Sequence, residues 1–357
     1  MVRRGAIIGF GNVAEHGHVP GWLAAEGFAI VAVADPAAER RAAAAAALPG
    51  VALYEDYNRL LAQERLDFVD IASPPAFHAA AVSAAAERGL HVLCEKPLTT
   101  TRADYLPVRR AVTIAGTVLQ PVHNWRCSEA FAVARSVLRD GQLGPLQRIR
   151  FETHRNGWAA GGDDWRAKPA IAGGGILVDH GWHTFYLLLG LAAGGQVDSQ
   201  TAMARSTPRY VAARTERRRY VDASVEDTAV CEIGFDDLVG EIELTWAATE
   251  RRTRWQLRGE RGSLTIEDDQ VRLVVEGAPT IVRTMSMSLS RGSHHPEWFP
   301  GVIAGLDAEI RGVQRGAGQR EAEWCLALLS HAYDSAATGG RRIELEDPER
   351  WLAEPET

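Results

Sequence analysis

Two stretches of this 357-residue chain carry side chains able to move protons. The first is His91-Val92-Leu93-Cys94-Glu95-Lys96-Pro97. A short apolar run ending in a carboxylate, an ammonium and a proline reads as a buried parallel strand. It must stop by Pro97, which has no N–H to give a ladder. Lys96 then sits at the carboxyl end of a strand, the edge where open α/β sheets bind ligands. An ammonium held there, half out of water, suits acid–base work near neutral pH. A surface Glu-Lys pair after a strand would look the same in isolation. The second stretch is Gly173-Gly174-Gly175-Ile176-Leu177-Val178-Asp179-His180-Gly181-Trp182-His183. On a helix opened by the glycine run, Asp179 and His183 are spaced i, i+4 and share a face. A carboxylate beside an imidazole orients it and favours its protonated form, as an acid/base needs. A capped helix with a buried structural Asp–His pair is the plainer alternative. His180 adds a possible ligand, but a metal needs at least three that converge, and His294-His295 joins them by no spacing rule. No metal is expected.

A third stretch supplies the partner for such chemistry. Gly9-Phe10-Gly11-Asn12-Val13-Ala14 follows the first apolar run and opens a helical stretch. In G-x-G-x-x-A the first glycine allows a tight turn and the second lets backbone approach a pyrophosphate. The third small residue lets helix and strand pack closely. The phosphates would rest on the N–H groups of Gly11, Asn12 and Val13 at the helix start. Asp35 ends the second apolar run, 21 residues past Ala14, and is placed to bind adenosine ribose hydroxyls. Its charge repels a 2′-phosphate, so NAD is expected, with NADP possible because Arg40 lies a helical turn further on. Ser73-Pro74-Pro75-Ala76-Phe77-His78 follows the third run, and its two prolines force an extended turn at the same sheet edge. Ser73, Pro74 and His78 are therefore candidate cofactor contacts, with a helix-start role the alternative for His78. His123-Asn124-Trp125-Arg126 and Asp163-Asp164-Trp165-Arg166 offer aromatic faces with amide and guanidinium donors. Asn124, Arg126, Trp165 and Arg166 thus suit a polyol, though either Trp could simply pack.

These residues need a frame. Through about residue 122, apolar runs at 6–9, 30–34, 68–72, 90–94 and 118–122 alternate with helical stretches at 13–26, 36–47, 56–63, 77–88 and 102–115. That rhythm predicts an α/β Rossmann domain, a doubly wound parallel sheet, over residues 1–124. From about residue 145 the texture changes to strands at 146–152, 196–205, 228–235, 239–246, 253–258, 263–266 and 271–275. Helices are expected at 129–139, 177–191, 300–315 and 319–337. Residues 125–357 are thus expected to form an α+β domain with a mostly antiparallel sheet.

Composition narrows the classes. The chain is 46% hydrophobic and 24% charged, with a net charge of −7. That balance argues against a nucleic-acid partner, which usually needs a basic face. No apolar run is long enough to span a bilayer, and no secretory leader is expected before the first strand. Four distant cysteines without a Cys-x-x-Cys fit a reduced, cytoplasmic protein.

Taken together, the Gly9–Ala14 turn, Ser73-Pro74 with His78, Glu95-Lys96-Pro97, Asn124 with Arg126, Gly173-Gly174-Gly175 and Asp179-x-Gly181-x-His183 resemble the glucose–fructose oxidoreductase / inositol dehydrogenase (Gfo/Idh/MocA) family. The resemblance covers nearly the full chain. It implies an NAD(P)-dependent oxidoreductase acting on a ring carbon of a sugar, amino-sugar or cyclitol. In that pattern Lys96 and His183 relay the hydroxyl proton, Asp179 holds a substrate hydroxyl, and Glu95 contacts the nicotinamide ribose. The resemblance also implies a homo-oligomer, dimer or tetramer, formed through the second-domain sheet. Two other outcomes stay open: a relative that uses NAD transiently to cleave a glycoside, and a non-catalytic dinucleotide sensor. The chain departs from the family pattern at Tyr186, where Asp is usual, at Ser73 in place of Thr, and at His180 and Trp182. A turn at Pro97 is expected to aim Lys96 into the cleft, with a cis Lys96–Pro97 bond compatible. His294-His295 has no assigned role.

Overall fold

The computed structural model describes residues 2–157, 165–194, 207–314 and 316–353. The chain divides into two compact units. One comprises residues 1–127 with 294–322, the other residues 128–293 with 323–357. Residues 294–322, grouped with the second domain in the sequence reading, thus cluster with the first unit.

The first unit is built on six parallel strands: β1 (Arg3–Ile8), β2 (Phe28–Ala34), β3 (Ala52–Tyr54), β4 (Phe68–Ile71), β5 (His91–Cys94) and β6 (Leu119–Pro121). Their order is β3-β2-β1-β4-β5-β6, the doubly wound arrangement whose order reverses at β1 and β4. Apart from Arg3 and Arg4 at the start of β1, Asp70 in β4 and His91 opening β5, the inner strands are apolar because helices cover both faces. Ile7, Val33, Phe68 and Leu93 share one core with Phe299, Val302, Ile303 and Leu306. Those four lie at i, i+3, i+4, i+7 on the helix Phe299–Ile310, which explains why this late segment packs back here. A Cβ on Gly21 would stand 2.6 Å from the Phe299 ring, so the helix Val19–Ala24 needs glycine where the two meet. β3 was not expected; it is only three residues long and half-buried.

Among the described residues the second unit holds a nine-stranded sheet. Its strands are β7 (Leu146–Asn156), β8 (Tyr210–Glu216), β9 (Thr228–Gly234), β10 (Val239–Thr245), β11 (Ala247–Gly259), β12 (Gly262–Glu267), β13 (Gln270–Val275), β14 (Ile281–Thr284) and β15 (Ile343–Glu344). The order is β14-β13-β12-β11-β7-β10-β9-β8-β15. All pairs are antiparallel except β7 with β10. One face carries Ile149, Phe151, Ile242, Leu244, Trp255 and Leu257, all buried. The helix Trp182–Ala192 packs on it so closely that a Cβ at Gly240 would meet Leu188. The other face is a charge ladder, with Arg148 on Glu241 (2.7 Å) and Arg150 on Glu243 (3.0 Å). The strand expected at 196–205 lies outside the described residues. Among the described residues no helix is long and apolar enough to cross a membrane.

Candidate functional site

At the start of the first unit, Gly9 takes φ +87°, and a Cβ there would lie 2.7 Å from the Ser73 nitrogen. Glycine is required by backbone conformation and by crowding. Gly11 differs, since a Cβ on it would meet nothing within 4 Å. The protein alone makes no demand for glycine at that position; a ligand lying on the backbone would. Asp35 braces the same turn. Its carboxylate accepts the Phe10 N–H (2.7 Å) and the Ala37 N–H (2.9 Å).

The helix after this turn begins irregularly. Ala14–His18 is a π-turn, and the α-helix Val19–Ala24 follows. His18 and Trp22, four residues apart, both reach Asp70 in the middle of β4. Asp70 is fully buried, and so nearly is His18 at 2% exposure. His18 Nδ1 lies 2.9 Å from Asp70, and its Nε2 lies 3.0 Å from Glu95. Trp22 donates to Asp70 at 2.7 Å, and Phe299 stacks on the His18 ring at 4.1 Å. Burial alone would strip the ring of its proton. Asp70 and then Glu95 outweigh it and raise the His18 pKa to about 10. Glu95 responds in kind: burial pushes its pKa up, but His18, followed by Lys96, pulls it below the usual carboxylate range. The second Glu95 oxygen accepts the Lys96 N–H at 3.0 Å. The Lys96–Pro97 bond is cis.

His78 is fully buried. One ring nitrogen is 2.8 Å from the Pro97 carbonyl and the other 2.7 Å from the Ser73 carbonyl. It ties the Ser73-Pro74 loop to the Glu95-Lys96-Pro97 loop. Burial lowers its pKa against those two carbonyls. The buried Ser73 Oγ and Asn124 Oδ1 find no hydrogen-bond partner among the described residues. Both belong to the loops that follow β4 and β6, where an incoming ligand would satisfy them. Arg126 pairs with Glu321, which also takes His123 Nδ1 at 2.6 Å. Trp125 meets Trp298 edge-on (5.4 Å) and His295 (6.1 Å). The His294-His295 stretch thus has a packing role. His295 stacks on Trp298 at 3.7 Å and bonds Glu297, while His294 lies against Gly17 of the π-turn.

In the second unit the glycine run is shaped by a residue 51 positions away. Glu226 accepts the Gly175 N–H at 3.0 Å on each oxygen, the Leu177 N–H at 3.1 Å and the Tyr333 hydroxyl at 2.8 Å. Burial raises its pKa against these bonds. A Cβ on Gly174 would collide with the Tyr333 hydroxyl, and one on Gly175 with the Glu226 carbonyl. The run leads into a second π-turn, Leu177–Gly181, which carries Asp179. The Asp179 carboxylate lies 3.7 Å from His180 Nε2. His183 opens onto the following α-helix, with Nδ1 2.7 Å from the Tyr186 hydroxyl. Tyr186 is fully buried, so it is itself fixed and orients the imidazole. The strict i, i+4 geometry read from sequence is therefore modified by the π-turn. Buried Arg155 bonds the His154 carbonyl (2.9 Å) and Thr253 (3.0 Å). Burial drives its pKa down to about 10, with Asp179 among the charges that oppose the fall. Arg166 covers the Trp165 ring at 4.4 Å. Asp163 and Asp164 lie outside the described residues. Among the described residues no three His, Cys, Asp or Glu side chains are grouped to hold a metal ion.

His18, Asp70, Glu226, Tyr333, Glu321 and Arg155 were not singled out in the sequence. A histidine four residues after Ala14 and an aspartate inside an apolar strand were the available signals for the first pair. The others are brought in by long-range contacts that no local pattern announces.

The first unit is a dinucleotide-type Rossmann fold with its glycine turn, the Asp35 carboxylate and a lysine on one sheet edge. Comparison with known proteins agrees. Residues 3–123 match the oxidoreductase family's NAD-binding Rossmann fold, and residues 131–265 match the C-terminal domain of the same family. The chain belongs to the Gfo/Idh/MocA family. Similar curated proteins include the D-apiose dehydrogenase of Paraburkholderia graminis, 37% identical over 141 residues, 40% of this chain and 37% of that protein. Another is the levoglucosan dehydrogenase of Pseudarthrobacter phenanthrenivorans, 33% identical over 131 residues, 36% of this chain and 33% of that protein. The chain thus matches about a third of the length of each. An oxidoreductase from Agrobacterium radiobacter, solved with NAD+, L-tartaric acid and magnesium, shares the fold with a TM-score of 0.79 at 22% identity. The match covers 96% of this chain and 98% of that one.

Proposed function

We propose that the protein is an NAD(P)-dependent dehydrogenase of a sugar, amino-sugar or cyclitol. Bound nicotinamide supplies the hydride chemistry; the chain's residues bind, orient and handle the proton. Lys96 and His183 relay the proton of the reacting hydroxyl, and Asp179 holds a substrate hydroxyl. Gly9, Gly11, Asn12, Val13, Asp35, Ser73, Pro74, Glu95 and Lys96 bind the cofactor; His78, buried with both ring nitrogens on the Ser73 and Pro97 carbonyls, positions their loops in place of the direct contact expected of it. Asn124, Trp165 and Arg166 are the proposed substrate contacts. Arg126 is a weaker candidate because Glu321 engages it. A homo-oligomer is proposed on the family's habit.

One observation carries this reading. The chain has 37 arginines and only two lysines, Lys96 and Lys168. A lysine kept at the end of β5 in so arginine-rich a chain points to a task guanidinium cannot do, and releasing and retaking a proton is such a task. Its neighbour Glu95 stands on the same sheet edge as the glycine turn. The catalysed steps draw on positioned proton transfer and on holding the reacting carbon against the cofactor. The test is Lys96→Met assayed on a panel of sugars and inositols with NAD and NADP, followed by absorbance of reduced nicotinamide. Turnover should fall about 10²–10⁴-fold with NAD affinity kept. Near-normal turnover in that variant would sink the assignment. Release of free sugar without accumulating NADH would favour transient oxidation and glycoside cleavage instead.

A further inference from the structure

We propose that His18 is a positioning residue for the dehydrogenation. Gripped by Asp70, its ring holds the Glu95 carboxylate, and through it the backbone of Lys96. The proposal rests on the function assigned above.

The geometry leaves the ring little choice. Both of its nitrogens face carboxylates, at 2.9 Å on Asp70 and 3.0 Å on Glu95. A neutral imidazole has one N–H and can serve only one of them. The doubly protonated ring serves both and balances one of the two buried negative charges. A buried carboxylate without such a partner is costly. Asp70 cannot swing away, since it is fixed by its place in β4 and by the Trp22 donor at 2.7 Å. Phe299 closes the remaining face of the ring. The π-turn Ala14–His18 has the role of delivering His18 to this spot just after the cofactor turn. On the far side, Glu95 reaches back to the Lys96 N–H at 3.0 Å. The chain of contacts therefore runs Asp70, His18, Glu95, Lys96 backbone. His18 need touch neither substrate nor cofactor.

Other titratable groups surround the carboxylate. Lys96 and His18 bear on Glu95 directly. Buried His78, held by two carbonyls, and His123, paired with Glu321, feel its charge. Cys94 precedes it, and burial pushes its thiol well up, so it stays neutral. His18 bonds the Glu95 carboxylate with a side chain that is itself anchored from behind by Asp70. Once the ring loses its second proton, it can donate to one carboxylate alone; with that proton kept on Asp70, Glu95 loses its side-chain hold and retains the Lys96 N–H.

The test weakens the anchor without touching the site. Asp70→Asn keeps an acceptor for Trp22 and removes the charge that most favours the protonated ring. The alkaline fall in kcat should move toward neutral pH by about one unit or more, while KM for sugar and NAD affinity change less than about threefold. His18→Gln should lower kcat about tenfold or more at every pH and abolish that alkaline step. Two spectroscopic readings use cofactor-free protein. With ¹⁵N-histidine, the His18 ring in the natural sequence should carry protons on both nitrogens at pH 8. With ¹³Cε-lysine there are only two signals, assigned by Lys168→Arg, and the Lys96 signal should move in Asp70→Asn. A singly protonated His18 ring at pH 8 would overturn the proposal even if neither variant folds. So would folded variants with an unchanged kcat profile and an unmoved Lys96 signal. If no sugar is oxidised but both spectroscopic results hold, the dehydrogenase reading fails and the clamp stands.

Discussion

Gly9 and Gly11 stand two residues apart in one turn and are glycine for different reasons. Gly9 is demanded by the fold, through its φ of +87° and the Ser73 backbone against it. Gly11 faces open space, so the fold makes no demand for glycine there, whereas the proposed cofactor would. Gly9→Val should therefore cost about 1–3 kcal/mol in strain and clash, whereas Gly11→Val should leave stability within about 1 kcal/mol. NAD affinity should fall at least tenfold in Gly11→Val, because its side chain occupies the path of the pyrophosphate. Denaturant melts and calorimetric titration separate the two effects. An intact NAD affinity in Gly11→Val would mean the turn does not carry the phosphates. His18 makes a second prediction. Its folded pKa is about 10 against 6.5 unfolded. The resulting stability is fully present below pH 6.5 and is lost as pH rises toward 10, on the order of a few kcal/mol. The melting temperature should drop between pH 7 and 10, and the drop should shrink in His18→Gln.

At the scale of elements, the two π-turns carry residues of the proposed site. One delivers His18 beneath the cofactor turn, and the other carries Asp179 out of the glycine run. An added residue in one turn rotates the side chains beyond it, and such turns are common at functional sites. The second turn depends on Glu226. Removing that carboxylate in Glu226→Ala leaves the Gly175 and Leu177 N–H groups and the Tyr333 hydroxyl seeking acceptors. The expected cost is about 1–3 kcal/mol. In kinetics, kcat/KM for sugar should fall about tenfold or more as Asp179 drifts, with NAD affinity unchanged. An equal loss of NAD affinity would show that Glu226 serves general stability alone. Elements also explain what the sequence could tell. The parallel strands were legible because strands buried on both faces are nearly continuous apolar runs, as at residues 6–8 and 92–94, with Asp70 the charged exception inside Phe68–Ile71. Tyr210–Glu216 was missed because its inward residues are Val211 and Ala213 among Arg, Thr and Glu, a weak alternation. Lys96 and the glycine turn could be read from neighbours in the chain. His18 with Asp70, or Glu226 with Gly175, could not, because each pair is 50 or so residues apart and is joined only by folding.

Over the whole molecule, the proposed contacts divide between the two compact units. Residues 1–127 and 294–322 contain every proposed cofactor contact; residues 128–293 and 323–357 contain Asp179, His183, Trp165 and Arg166. The return of 294–322 to the first unit is an energetic necessity. The apolar stripe Phe299, Val302, Ile303 and Leu306 completes a core that the first 127 residues leave open. Ligand binding to the native state stabilises by mass action, about 2.7 kcal/mol at a hundredfold excess over Kd. Because the contacts fall in one unit, NAD should slow amide exchange chiefly at residues 9–16, 35–37, 73–78 and 95–98, and also in the helix 299–310, which shares their core. Exchange in strands β7 to β13 should change little on adding NAD alone, and should respond when the sugar substrate follows. Hydrogen exchange read by mass spectrometry, without ligand, with NAD, and with NAD plus sugar, resolves these segments. Protection that begins in the second unit on NAD alone would place cofactor contacts where none is proposed, and would require the division of labour to be redrawn.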